Sequence, residues 1–132
     1  MLKEIIKIDD TVVLESTVYP GITNNFGNFL QKHTGLKSNK DFFICYSPER
    51  INPGDNTKKL NQIDKIFSTK IKDKRKINDI KKIYSLVSKK LIFTKNIQES
   101  EAAKVIENIQ RDLNIAFYNE ILMICDKLKL NF

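Results

Sequence analysis

The stretch DFFICYSPERINPGD, residues 41–55, decides how this chain folds. Its first six residues form an almost unbroken apolar run closed by turn residues. A run this short, with aromatic and β-branched side chains and no alternation, fits a strand buried on both faces. Parallel sheets covered by helices produce that pattern. Pro48, Pro53 and Gly54 then make the following segment a loop. An acid and a base, Glu49 and Arg50, stand side by side just past the strand's end.

Working outward, DTVVLES (10–16) reads as a second short buried strand, closed by the TVYPG turn at 17–21. Residues 23–34 fit a helix with Thr23 as N-cap, Phe26, Phe29 and Leu30 at helical spacing, and Gly35 as its stop. Beyond the opening loop, DKIFST (64–69) is a third strand. Residues 73–88 form a helix with Ile77, Ile80, Ile83, Tyr84 and Val87 on one side, and KLIFT (90–94) is a fourth strand. Strands alternating with helices through short links predict an α/β fold: about four parallel strands with crossover helices.

From about Gln98 the pattern changes. The last 34 residues contain no Gly or Pro. Ala102, Val105, Ile106, Ile109, Leu113, Ala116, Phe117, Ile121 and Ile124 recur at helical spacing. Ser100 and Glu101 stand near the start, where a cap and an acid suit a helix N-terminus. Such a helix spans roughly 45–50 Å, longer than a domain of this size. Part of it is expected to pack on a second subunit or on a domain this chain does not supply. The chain opens on a fragment of helix and an interior-type strand and closes on LKLNF without a cap, so a truncated architecture is expected.

Composition narrows the function classes. The chain has 132 residues, 41% hydrophobic and 30% charged, enough for one modest domain with a core. It has neither a run of about 18 apolar residues nor the apolar core of a signal peptide, so a soluble, cytoplasmic protein is expected. The net charge of +7 invites a nucleic-acid reading. Yet Arg50, Arg75 and Arg111 are the only arginines among 23 basic residues, and Arg is the side chain suited to bidentate phosphate and base contacts. The basic run KIKDKRK (70–76) carries no interleaved aromatics and reads as a solvated face. Cys45 and Cys125 form no metal-binding spacing and are expected as buried thiols; no metal is expected. His33 reads as a surface residue.

Three segments carry candidate chemistry. In ESTVYPG, Ser16 and Thr17 follow a strand at the edge where open α/β sheets bind ligands; taken alone, they are also ordinary turn chemistry. Glu49 sits on the same edge. It could position a water or accept a proton, or simply form a loop ion pair with Arg50. In EAAKVIENIQRDLNIAFYNE (101–120), Lys104 and Asn108 are four apart and share a helix face. Ala102 and Ala103 would let the lysine approach an anionic group closely; a plain surface pair is the alternative.

In this order and at these separations, LESTVYPG, YSPERINPGD and EAAKVIENIQRDLNIAFYNE resemble the UDP-glucose/GDP-mannose dehydrogenase family. They look most like its branch acting on UDP-N-acetylglucosamine or UDP-N-acetylgalactosamine in surface-polysaccharide synthesis. The resemblance implies that residues 1–96 are the C-terminal part of a Rossmann-like NAD-binding domain. Residues 97–132 would start the central helix, which mediates dimerisation in the family. It implies oxidation of the sugar's C6 hydroxyl to a carboxylate with two NAD, through an aldehyde and a cysteine-bound thioester. Thr17 would stand by the nicotinamide and a water, with Ser16 beside it at the cofactor. Glu49 would assist thioester hydrolysis, Lys104 and Asn108 would stabilise the alkoxide, and Arg50, Ile51 and Asn52 would line the sugar site with them.

The departures from the family pattern are equally specific. The four glycines, at 21, 27, 35 and 54, make no G-x-G-x-x-G phosphate turn, and neither cysteine lies in a Gly-Gly-His-Cys type motif. IFSTK lacks the glycine expected after its serine. An interior piece of such an enzyme, inactive by itself, is therefore expected. The alternative is a non-catalytic module that dimerises or complements other fragments through the long helix.

Overall fold

A computed structural model describes residues 2–49 and 62–131. A short helix α1 (Leu2–Ile5) leads into β1 (Thr11–Leu14), α2 (Ile22–Thr34) and β2 (Phe43–Tyr46). Then come β3 (Asp64–Ser68), α3 (Lys74–Tyr84), β4 (Lys90–Thr94) and the 32-residue α4 (Ile97–Leu128). The strands form one sheet in the order β1-β2-β3-β4.

β1 and β2 run parallel, with α2 as the crossover, and β3 and β4 run parallel with α3 between them. The expectation of a wholly parallel sheet fails between these two units. β2 and β3 are antiparallel, paired through Tyr46 and Ser68, the last residue of each strand. An antiparallel neighbour needs no crossover helix, and an unbroken apolar run reports burial without reporting direction. The two βαβ units therefore face each other, and the C-terminal ends of all four strands gather at one seam.

Side-chain alternation sorts the core into two faces. Cys45 and Phe67 point to the α3 side with Ile71 and Ile80, flanked by Val13, Phe43, Ile77, Tyr84, Leu91 and Phe93. The Phe67 ring meets Tyr84 edge-on at 5.2 Å. Leu30, Phe42, Ile44 and Ile97 are also fully buried. Within α2, Gly27 lies against Ile44 and Ser38 so closely that a Cβ would fall 2.8 Å from Ser38 Oγ, which explains a glycine in a helix interior.

Several local expectations change. Gly21, in the left-handed region at φ 102°, precedes α2 and not Thr23, which lies inside the first turn. Asn96 caps α4, its side chain accepting from the N–H groups of Gln98 and Glu99; Ser100 and Glu101 have other partners. The helix does end in a cap: Lys129 adopts the left-handed conformation and Leu130 N–H donates to Cys125 O at 2.9 Å. Ile83 and Val87 are exposed. Cys45 is buried, Cys125 only partly so, and both are free thiols.

Candidate active site at the seam of the sheet

α4 begins directly after β4 and lays its first turns across the seam. Ser100 Oγ accepts from Ser68 Oγ at 2.6 Å and lies 3.0 Å from Thr94 Oγ1, while Ser68 and Thr94 are 2.6 Å apart. Three hydroxyls, from β3, β4 and α4, thus join the ends of the second unit to the helix. A glycine after Ser68 is not needed for this junction: Thr69 there is buried and takes the Cys45 thiol as donor at 3.2 Å.

The first unit is joined by a residue whose role sequence reading missed. The Glu101 carboxylate is fully buried and accepts from Gly21 N–H at 2.6 Å and Thr23 N–H at 2.8 Å. It caps α2 from a distance of about 80 residues in sequence. An acid at a helix N-terminus is stabilising; the helix is simply α2 rather than Glu101's own.

Next along α4, Lys104 and Asn108 face the seam. The Lys104 side chain is 8% exposed, with Nζ 3.2 Å from Glu107 Oε2, so its ammonium does meet an anionic group. It lines a cleft of about 170 Å³ with Pro48, Ile66, Ser100, Ala103 and Glu107. Asn108 Nδ2 donates to Thr17 Oγ1 at 3.4 Å and its Oδ1 accepts from Arg111 at 2.7 Å. Ser16 and Thr17 are exposed at the end of β1.

Glu49 follows β2 on the same edge: its N–H donates to Glu15 O at 3.0 Å, continuing the ladder of β1 and β2. Its carboxylate, however, lines a cleft of about 340 Å³ on the α3 side, with Glu15, Ile63, Lys65, Ile83, Tyr84 and Val87. Successive residues of extended chain face opposite ways, so Pro48 walls the Lys104 cleft and Glu49 the neighbouring one. The structure thus joins Thr17 to Asn108, with Lys104 one turn away and Glu49 around the strand end. Arg50, Ile51 and Asn52 lie outside the described residues.

Three titratable groups around the seam are displaced from their usual range. Burial pushes the Cys45 thiol up to about 11, with the Thr69 hydroxyl pulling the other way. Burial and then the Glu101 carboxylate push Tyr46 up to about 12. Burial, reinforced by Glu15, raises Tyr84 further.

A dinucleotide's pyrophosphate needs an open helix N-terminus or a comparable nest of N–H groups. Glu101 fills that position on α2, Asp73 on α3 through Arg75 N–H at 2.7 Å, and Asn96 on α4. Each long helix therefore holds its own anion or amide there. The described residues do not fit the pyrophosphate of NAD. Among the described residues no cluster of three or more His, Cys, Asp or Glu side chains could hold a metal, and no helix is long and apolar enough to cross a membrane.

Comparison with known proteins covers nearly the whole chain. A family model described as the UDP-glucose/GDP-mannose dehydrogenase family, NAD binding domain, matches residues 1–88, and that family's central domain matches residues 98–132. Protein CapL of Staphylococcus aureus is 45% identical over 130 residues, covering 97% of this chain and 30% of its own length. A UDP-N-acetyl-D-glucosamine 6-dehydrogenase of Pseudomonas aeruginosa is 41% identical over 130 residues, again with 97% and 30% covered. Among solved structures, the UDP-D-ManNAc dehydrogenase of Pyrococcus horikoshii superposes with a TM-score of 0.80 at 30% identity, over 98% of this chain and 31% of that one. The chain thus spans about 30% of the length of the relatives it matches.

Proposed function

Because this chain belongs to the UDP-glucose/GDP-mannose dehydrogenase family, we propose that it carries part of the active site of a nucleotide-sugar 6-dehydrogenase acting on a UDP-N-acetylhexosamine. Residues 1–96 are the C-terminal part of its dinucleotide-binding domain and 97–132 the start of its central helical domain. The product is a sugar carboxylate for surface polysaccharide. In such an oxidation the C6 carbon gives up one hydride in each of two steps and its oxygen gives up a proton; NAD, where bound, would supply the hydride acceptor. The observation that carries this reading is the contact between Asn108 and Thr17 across 91 residues, beside the buried Lys104. It draws two separate motifs to the C-terminal ends of the strands, where such sheets bind ligands.

In this reading each side chain has a bounded task. The Lys104 ammonium and the Asn108 amide are fixed donors for an oxyanion forming at C6. Held by Thr17 and Arg111, Asn108 loses little freedom when the substrate arrives. Thr17, with Ser16, would hold the nicotinamide end of the cofactor. Glu49 takes a proton from the water that hydrolyses the acyl intermediate. Arg50, Ile51 and Asn52 contact the sugar. The thiol that forms that intermediate is neither Cys45, which is buried in the core, nor Cys125, near the far end of α4.

The test is a chimera in which residues 11–128 replace the aligned stretch of the Pseudomonas aeruginosa enzyme. It is expected to form two NADH per UDP-N-acetyl-D-glucosamine, and Glu49→Gln should slow hydrolysis of the acyl intermediate selectively, leaving a first-turnover burst of NADH with slow steady turnover. A folded chimera that forms no NADH overturns the proposal. The isolated chain is expected to give no sustained turnover.

One observation also favours a role in assembly. Beyond Lys104, Ile106, Ile109, Leu113, Ile115, Phe117, Tyr118, Leu122, Met123 and Ile124 of α4 are each 45% or more exposed. A helix apolar on several sides is built to be covered. Pairing of α4 with a second copy or with a complementing fragment would cover it, and light scattering of the purified chain tests this directly.

A further inference from the structure

A side-chain amide can be held either way round, and the two ends of Asn108 have different partners. Its Nδ2 donates to Thr17 Oγ1 at 3.4 Å, and its Oδ1 accepts from Arg111 Nη2 at 2.7 Å. The oxygen and the NH2 group are nearly alike in shape, so half a turn of the amide exchanges them. The threonine hydroxyl does not decide between the two arrangements, because it accepts in one and donates in the other. Arg111 does decide. A guanidinium has five N–H donors, no acceptor and a permanent charge, so only the carbonyl end of the amide can meet it. Arg111 has a further interaction besides this bond, and its fork holds donors for both.

We propose that Arg111 is a positioning residue for Asn108: by taking the amide oxygen, it turns the NH2 group toward Thr17 and the strand ends. The inference rests on the reading of Asn108 as a donor to the oxyanion forming at C6. For the amide's orientation it needs only the two hydrogen bonds. Residues 108 and 111 are three apart on α4 and share a face. At 2.7 Å the bond between them is short, as charge-assisted bonds are, whereas the bond to Thr17 is long. The firm contact therefore sets the direction, and the loose one lets the NH2 group leave Thr17 for an incoming oxygen. Presented oxygen-first, the same amide would set a partial negative charge against that oxygen and oppose the developing charge. A contact between exposed neighbours on one helix contributes little to stability, so Arg111 variants are expected to fold.

The experiment has two arms. In the full chain, NMR contacts (NOEs) between the Asn108 NH2 protons and the Thr17 side chain report which end of the amide faces the strand. Arg111→Glu offers only acceptors and is expected to reverse the amide and abolish them. Arg111→Lys, again a donor only, should keep them. Arg111→Met removes the preference and should weaken them, which keeps the test decisive should Arg111→Glu fail to fold. Contacts missing from the native chain, or unchanged in folded Arg111→Glu, overturn the proposal. In the chimera, Arg111→Glu is expected to lower kcat about 100-fold with KM within a few-fold, and Arg111→Lys to stay near native. Once Asn108→Ala is present, Arg111→Glu should cost nothing further. An equal loss in both backgrounds overturns the proposal. A native rate in Asn108→Ala alone overturns instead the reading of Asn108 as a donor, and the NMR contacts then decide the orientation separately.

Discussion

Glu101 and Thr23 are 78 residues apart in sequence and 2.8 Å apart in space, carboxylate oxygen to backbone N–H. With the second bond to Gly21, this one side chain fastens α4 to the start of α2, and so sets the 17–21 loop against the helix that carries Lys104 and Asn108.

Glu101→Ala should therefore weaken more than its own site. It leaves two amides of the α2 N-terminus without their partner in a buried place, at about 1–3 kcal/mol for each unsatisfied group. The expected loss is about 2–6 kcal/mol in urea unfolding. Hydrogen exchange should speed at Gly21 and Thr23 before it does in β1 or β2. Unchanged protection at both amides would contradict the assignment.

A Thr23 cap and a Glu101 acid at its own helix are local expectations, because a sequence displays local spacing. Periodicity revealed the strands, α2 and the full length of α4. It could not reveal that Glu101 serves a helix in another unit, since that pairing depends on the antiparallel seam, and nothing in DKIFST states a strand direction. The same limit applies to Glu49. Its position beside Ser16 and Thr17 was legible from the two strand ends, whereas its turn toward Lys65 comes from pleat alternation after Pro48. In the sequence Lys65 is one lysine among twenty. Its burial becomes intelligible once Tyr84, Glu15 and Glu49 surround it.

Alkaline pH should unfold the chain earlier than acid chemistry at its surface would suggest. Cys45, Tyr46 and Tyr84 are all held above their usual values, 9.0 for the thiol and 10.0 for the phenols. Each group is then easier to ionise when unfolded. Their contribution is complete below the unfolded values and is lost as pH rises through the folded ones. For Cys45, a rise from 9.0 to about 11 corresponds to roughly 3 kcal/mol. Urea midpoints should be flat from about pH 7 to 8.5 and fall through the range of about 9 to 12. Cys45→Ala should remove the earliest part of that fall.

Lys104→Met in the chimera tests the oxyanion role directly. A donor used chiefly in the transition state should lower kcat about 100- to 1,000-fold while leaving KM within a few-fold. A rise in KM alone would make Lys104 a binding residue instead.

The apolar distal half of α4 makes a prediction about assembly. Leu113→Asp with Phe117→Asp places two charges on residues that are 61% and 60% exposed. The fold of residues 2–49 and 62–104 should be untouched, because both side chains are exposed. Light scattering should show a smaller species than the native chain. A native chain that is already monomeric would remove the basis for the pairing.

The bond from Glu101 to the α2 N-terminus also sets a timetable. On the ribosome, α2 is complete by residue 34, but its first amides wait for a partner some 70 residues later. At about 5–20 residues per second that interval is roughly 4–14 s. The nascent first unit therefore spends seconds with its α2 N-terminus bound only to water, and the arrival of α4 closes both units in one step.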